Sequence, residues 1–225
     1  MAKDPIYFFR TSIRYIFYFF SFAQSILWTI LAYSLYYLFS LQMNGAWVTK
    51  FSLIFSLFLY LGIGGYLGEL VFKHRPNKVN LITIFNSFIG IYGIILLICH
   101  PLLIKTANSI FTVFNHNAII SNFLSAIFIS LIIAIPFLSL GILLAVFQQL
   151  LEQSISDDFH HFSLFFFYLC IGVIIGLLTA GFTFFPVIGI KQTLFISSLF
   201  LLFSGLLIKI LFQNIERKIW QLKIW

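Results

Sequence analysis

The stretch GGYLGELVFKHRPNK, residues 64–78, holds three glycines and Glu69, then Lys73, His74, Arg75 and Lys78. A glycine-rich segment running into a basic cluster has two incompatible readings. A phosphate-cradling loop needs its glycines between a strand and a soluble helix, with a lysine at fixed spacing behind them. Here the glycines lie inside an apolar run, residues 51–72, that is long enough to cross a bilayer, and the bases come after it. The segment therefore reads as a closely packed transmembrane helix that ends in a basic turn.

Composition carries this reading to the whole chain. Of 225 residues, 61% are hydrophobic and 8% are charged, against about 25% charged in an ordinary soluble domain. A soluble globule of this size cannot hide so much apolar surface, so lipid is the solvent. The charges leave six segments with at most one charged residue each, 15–41, 51–72, 79–104, 118–151, 162–185 and 192–212. Each meets the length of about 20 residues that a bilayer core requires. The expected fold is all-α, a polytopic membrane protein with a single domain of six transmembrane helices. The fourth segment is long and holds Pro136 at its middle. That predicts a kink or tilt, or a start nearer Phe123, with two short re-entrant pieces as the alternative.

Orientation follows from the bases. With the N-terminus inside, the inner segments carry Lys3, Arg10, Arg14, Lys73, Arg75, Lys78, Lys209, Arg217, Lys218 and Lys223. The outer ones carry only Lys50, Lys105 and Lys191. Ten against three favours both termini in the cytoplasm. The tail NIERKIWQLKIW mixes bases with tryptophans and suits the headgroup region of the inner leaflet. The +7 charge is thereby assigned to orientation and anionic lipid, so nucleic acid is not an expected partner.

Few residues offer chemistry. Cys99 and Cys170 lie in or beside apolar runs without a CxxC, so neither a disulfide framework nor a metal motif is expected. Asp157, Asp158, His160 and His161 read as a solvated acidic loop, not a metal site. No Ser-His-Asp or Cys-His spacing points to catalysis, and no cofactor or enzymatic activity is expected. The candidate intramembrane polar residues are Gln24, Asn86, Gln148 and Gln149, which either bond between helices or line a solute path. His100–Pro101 is expected to close the third span. Glu69 with Lys73, His74 and Arg75 forms either a gating turn or a plain i,i+4 border pair.

Small residues allow helices to approach in lipid. Gly172, Gly176 and Ala180 recur four apart in the fifth span, and Gly62, Gly65 and Gly68 three apart in the second, beside Gly64. Both helices are expected to be central and closely packed. Their matching places suggest two three-helix halves, as in transporters built from inverted repeats.

The succession of motifs resembles the N-terminal membrane module of fused major-facilitator/spermidine-synthase-like proteins. FFSFAQSILW (residues 19–28) looks like the first helix of that family. LGIGGYLGELVFKHRP (61–76) looks like its second helix and basic turn, itself similar to the major-facilitator signature. IPFLSLGILLAVFQQLL (135–151) looks like the fourth helix, and FFYLCIGVIIGLLTAGFTFFPVIGIKQTL (166–194) like the fifth helix and its proline-glycine exit. The match runs in order over nearly the whole chain. It departs at Asn86, where a carboxylate is expected, at Phe22 in place of a glycine, and at Ile142, Leu143 and Ala145. The family's aminopropyltransferase part is not expected here, because there is no Gly-rich strand-to-helix turn and only six acidic residues. The resemblance implies a membrane module, in a bacterial inner membrane, that anchors or partners a cytoplasmic aminopropyltransferase-like protein. The alternatives are a small-solute transporter, amine solutes included, working as a homodimer, and a structural subunit of a membrane complex.

Overall fold

The structure, a computed structural model, describes residues 5–40, 46–72, 78–113, 118–154 and 158–223, with side chains described at residue 15 and over 18–40, 54–70, 80–109, 119–149 and 163–210. In lipid, every backbone N–H and C=O must be satisfied within the chain, which leaves helices as the open solution for such a sequence. The elements are α1 (Pro5–Ser40), α2 (Ala46–Phe72), α3 (Lys78–Val113), α4 (Ala118–Ser154) and α5 (Asp158–Leu178). A π-helical turn (Thr179–Phe184), a short α6 (Phe185–Ile188) and α7 (Ile190–Lys223) complete the fold. No strand occurs among the described residues.

Five helices are long and apolar enough to cross a membrane, over Tyr18–Ser40, Asn80–Ser109, Ile119–Gln149, Ser163–Ile188 and Ile190–Ile210. Over its described side chains, α2 adds a shorter apolar stretch, Ile54–Leu70. Together they make an all-α polytopic membrane protein.

Packing is pairwise. The main partners are α2 with α4, α3 with α7, and α1 with α5, while α1 also meets α7 and α4, and α3 meets α4. Helix α1 is the hub, 61% buried over its span against 22% for the α5 span. Glycine contacts give the directions. Gly172 faces Phe22 and Ser25, and Gly176 faces Ile26 and Thr29, so α1 and α5 run parallel. Gly64 faces Leu138 and Gly68 faces Ile142 and Ala145, so α2 and α4 run parallel too. Gly205 lies at Thr83 and Asn86, whereas Gly90 lies at Ser198 and Leu202, which makes α3 and α7 antiparallel.

Two expectations about prolines are corrected or resolved. His100–Pro101 does not close the third helix; α3 continues through Pro101 to Val113. A proline removes one N–H and strains one turn, and the apolar Leu102, Leu103 and Ile104 beyond it favour continued helix in lipid. Likewise α4 runs unbroken through Pro136, so neither a later start nor two re-entrant pieces occurs.

The glycine stripe of α2 is also corrected. Gly62 has nothing within 4 Å of where its Cβ would be, and Gly65 meets only the Gly141 carbonyl at 4.0 Å. The packing pair is Gly64 and Gly68. A methyl on Gly68 would lie 2.8 Å from Ala145 Cβ, and one on Gly64 would run into the Leu138 carbonyl oxygen. Residues four apart stay on one helix face, while Gly62 turns away from α4 and Gly65 meets it through its backbone. Gly141 completes the crossing, packed against Leu61, Gly64 and Gly65.

Candidate functional site

Among the described side chains, no charge lies in the interior. Glu69, Lys105, Lys191 and Lys209, the charged residues with described side chains, are all exposed. Lys73, His74 and Arg75 of the expected gating turn lie outside the described residues. The acidic loop residues Asp157, Asp158, His160 and His161 likewise fall outside the described side chains, and no metal-binding group occurs among those described.

What the interior does hold is neutral and polar. Hydroxyls tie α2 to α4: Ser56 Oγ donates to Ser130 Oγ at 2.8 Å, and Ser130 Oγ to Tyr60 Oη at 3.3 Å. Tyr92 Oη donates to the Ile132 carbonyl at 2.9 Å and joins α3 to α4. Other hydroxyls turn back on their own helices, among them Ser34 to Ile30 O, Thr179 to Ile175 O and Ser198 to Leu194 O.

The four candidate glutamine and asparagine residues separate. Gln148 is exposed and Gln149 buried, because consecutive helical positions face different ways. Gln149 Nε2 donates to the Gly68 carbonyl at 3.4 Å, a further α4–α2 tie. Gln24 is 5% exposed and Asn86 0%. Neither Asn86 Nδ2 nor Asn86 Oδ1 has a protein partner, nor has Gln24 Nε2. The same holds for Ser21 Oγ and Trp28 Nε1 on α1 and His100 Nε2 on α3. Buried polar atoms without partners cost about 1–3 kcal/mol each, so a cluster of them calls for a physical account.

Helix geometry brings most of that cluster to one level. At Gly93 three helices converge, since a methyl there would collide with Ser198 of α7 and lie 3.1 Å from Leu31 Cδ1 of α1. Seven residues make about two turns, or about 10.5 Å. Two turns toward the start of α1 lead from Leu31 to Gln24, from Gly93 to Asn86, and along antiparallel α7 from Ser198 to Gly205. Asn86 Cβ does lie 3.2 Å from the place of a Gly205 Cβ. Trp28 stands one turn beyond Gln24 on the same α1 face, and helical side chains lean toward the N-terminus, so its indole leans back toward this level. Gly205 lets α7 approach α3 closely there, the place of its Cβ lying 3.0 Å from the Thr83 carbonyl.

Sequence reading singled out Gln24 and Asn86 but missed Trp28, Ser21 and the serine–tyrosine ties. Their signal was present: polar atoms in runs otherwise devoid of them. Gly172 and Gly176 of α5 and Ala180 of the π-helical turn lie buried, with the two glycines against α1.

Fold and site together define a helical membrane protein with a neutral, partly unsatisfied polar layer inside its helix bundle. No family model, curated protein or solved structure matches the chain.

Proposed function

We propose that this chain is a membrane transport unit built from two inverted three-helix repeats, which passes a small solute and works as a pair of copies. One observation carries the reading. Exchanging α1, α2 and α3 for α4, α5 and α7 turns the α1–α5 packing into α4–α2, α1–α7 into α4–α3, and returns α3–α7 and α1–α4 to themselves. Two interleaved repeats with an odd number of spans each, related by a pseudo-twofold axis in the membrane plane, have that property, and transporters place substrate sites at their interface. Asn86 lies at the α3–α7 contact and Gln24 on central α1, both on that interface. The basic segments support cytoplasmic termini. Six spans are half of a twelve-helix facilitator, which supports pairing with a second copy.

The test is uptake of labelled small solutes, neutral and amine, into liposomes carrying the purified full-length protein, with chemical cross-linking to read the copy number. Uptake no faster than in protein-free liposomes would sink the proposal. The anchor reading draws on the motif resemblance instead. A stoichiometric cytoplasmic enzyme retained through gentle-detergent purification, together with inactive liposomes, would favour it.

A further inference from the structure

We infer that the chain is two copies of one self-complementary three-helix unit, and that the partner each unit fits is a second copy of itself turned over in the membrane. The inference rests on the repeat arrangement of the transport reading, not on transport, and carries it from helices to residues. Contacts fix the correspondence. On α2, Gly64 faces the Leu138 carbonyl and Gly68 faces Ile142 and Ala145 of α4. On α5, Gly172 faces the Phe22 carbonyl and Gly176 faces Ile26 and Thr29 of α1. A shift of 108 positions carries both α2 glycines onto the α5 glycines, and a shift of 116 carries the three α1 partners onto the three of α4. The atoms agree as well. A Gly68 Cβ would lie 3.1 Å from the Ile142 carbonyl oxygen and 2.8 Å from Ala145 Cβ; a Gly176 Cβ would lie 2.9 Å from both the Ile26 carbonyl oxygen and Thr29 Cβ. Between α3 and α7 the shift is 115. A Gly90 Cβ would lie 2.6 Å from the Ser198 carbonyl oxygen, and that of its counterpart Gly205 would lie 3.0 Å from the carbonyl oxygen of Thr83, the counterpart of Ser198. Residue i meets j where j's counterpart meets i's, which is the mark of a twofold, self-complementary interface.

The amino-acid sequence repeats at the same shifts. FLYLGIGGYLGEL (58–70) and FFYLCIGVIIGLL (166–178), 108 apart, share seven of thirteen residues, in the pattern F-x-Y-L-x-I-G-x-x-x-G-x-L. TIFNSFIG (83–90) and SLFLLFSG (198–205), 115 apart, share both phenylalanines and the glycine, and each begins with a hydroxyl residue. A common apolar composition raises identity at every shift, but it does not single out the shifts that the contacts select. The second unit has fewer residues between these contacts on its first and second helices, and more between its second and third, where the π-helical turn and α6 stand. The shifts therefore differ while the contacts do not. In lipid, close approach at small residues is what holds helices together. The duplicated glycine motif is thus the docking surface of each unit, and its occupant is the first helix of the inverted copy.

The test is an exchange within the full-length chain. Residues 58–68 and 166–176 change places, which keeps the composition and leaves Glu69 where it is. The exchanged protein is expected to stay monodisperse in detergent and to unfold within about 5 °C of the wild type. A control makes the same exchange with each segment moved one place along, which turns the glycines by about 100° away from their partner helices; it should lose the fold. Two single substitutions need no exchange: Gly68→Ala and Gly176→Ala should lower the unfolding midpoint by amounts that agree within about twofold, since their methyls meet matching atoms. An exchanged chain that fails as its control does, a control that folds as well as the exchanged chain, or a loss at one of the two glycines alone overturns the inference. No flux is read, so the two proposals fail separately. A successful exchange with inactive liposomes leaves the matched units and removes transport. Uptake by the wild type with a failed exchange leaves solute passage and removes the matched units.

Discussion

The hydroxyl of Tyr92 on α3 donates, at 2.9 Å, to the carbonyl of Ile132 on α4, the one backbone acceptor that Pro136 deprives of its helical donor. An α-helix bonds N–H(i) to O=C(i−4), and proline at 136 has no N–H to give to residue 132. In lipid no water replaces it. Tyr92 thus supplies from a neighbouring helix what the sequence of α4 removes, and fixes α3 to α4 at that turn.

A double-mutant cycle tests this. Tyr92→Phe should destabilise the protein by about 0.5–1.5 kcal/mol in denaturant titration of detergent-solubilised protein. With Pro136→Ala in place, the helix supplies its own donor, and the Tyr92→Phe loss should shrink toward zero. Equal losses in both backgrounds would mean the hydroxyl does not serve that carbonyl.

The glycines of α2 divide by what stands opposite them. Gly62→Ala should be neutral within about 0.5 kcal/mol, since its methyl meets nothing. Gly64→Ala should destabilise by about 1–3 kcal/mol, because the Leu138 backbone lies in the way and cannot rotate aside as a side chain can. Size-exclusion profiles and thermal unfolding of the two variants should separate them clearly.

Parallel α2–α4 packing predicts a specific cross-link. In a Cys99→Ser, Cys170→Ser background, Ser56→Cys with Ser130→Cys should form a disulfide on mild oxidation in membranes, since the native hydroxyls are 2.8 Å apart and a disulfide needs Cα atoms within about 7 Å. Ser56→Cys with Ser198→Cys, on helices that are not main packing partners, should not. Cross-linking of the second pair alone would contradict the helix arrangement.

In the absence of solute, Asn86→Leu should leave stability unchanged or raise it by about 1–2 kcal/mol, because it removes two unpaired buried polar atoms while keeping the volume. Most substitutions at fully buried positions destabilise. A loss above about 2 kcal/mol in thermal unfolding would indicate that the amide is held by partners of its own.

Membrane class and the all-α fold were legible in the sequence because hydrophobic length is a one-dimensional property, and lipid permits helices alone for such runs. Helix ends and prolines were less so. Pro101 read as a boundary and Pro136 as a kink or tilt, but what a proline does to a helix depends on what supplies the missing bond, as Tyr92 does for Pro136 from forty residues away. Gly172 and Gly176 were readable because four-residue spacing defines a face without knowledge of the partner. Gly62 was misassigned because which side of α2 meets α4 is a property of the pair. Gln24 and Asn86 were visible as polar letters in apolar runs, whereas their shared level required the directions of three helices. Trp28 was hidden by its dual nature, an apolar ring with a donor at its edge.

The π-helical turn Thr179–Phe184 has a consequence for how this chain tolerates change in length. The Phe185 N–H bonds the Ala180 carbonyl, five residues back, so Phe185 sits over Ala180 as Ala180 sits over Gly176. One side of the helix thus stays turned to α1 throughout: Gly176 meets Ile26 and Thr29, and Phe185 stacks on Tyr33 at 5.4 Å. A residue inserted into or deleted from an ordinary stretch of α5 would rotate everything beyond it by about 100° and detach one of those two contacts. The wide turn already holds one surplus residue and keeps both in phase. Deleting a residue there would take away that surplus and turn the wide turn into ordinary α-helix, with Phe185 four places after Ala180 and still over it, so both contacts with α1 would be kept. The chain therefore keeps two separate alignments with α1, and the turn between them is the joint at which their phases are reconciled.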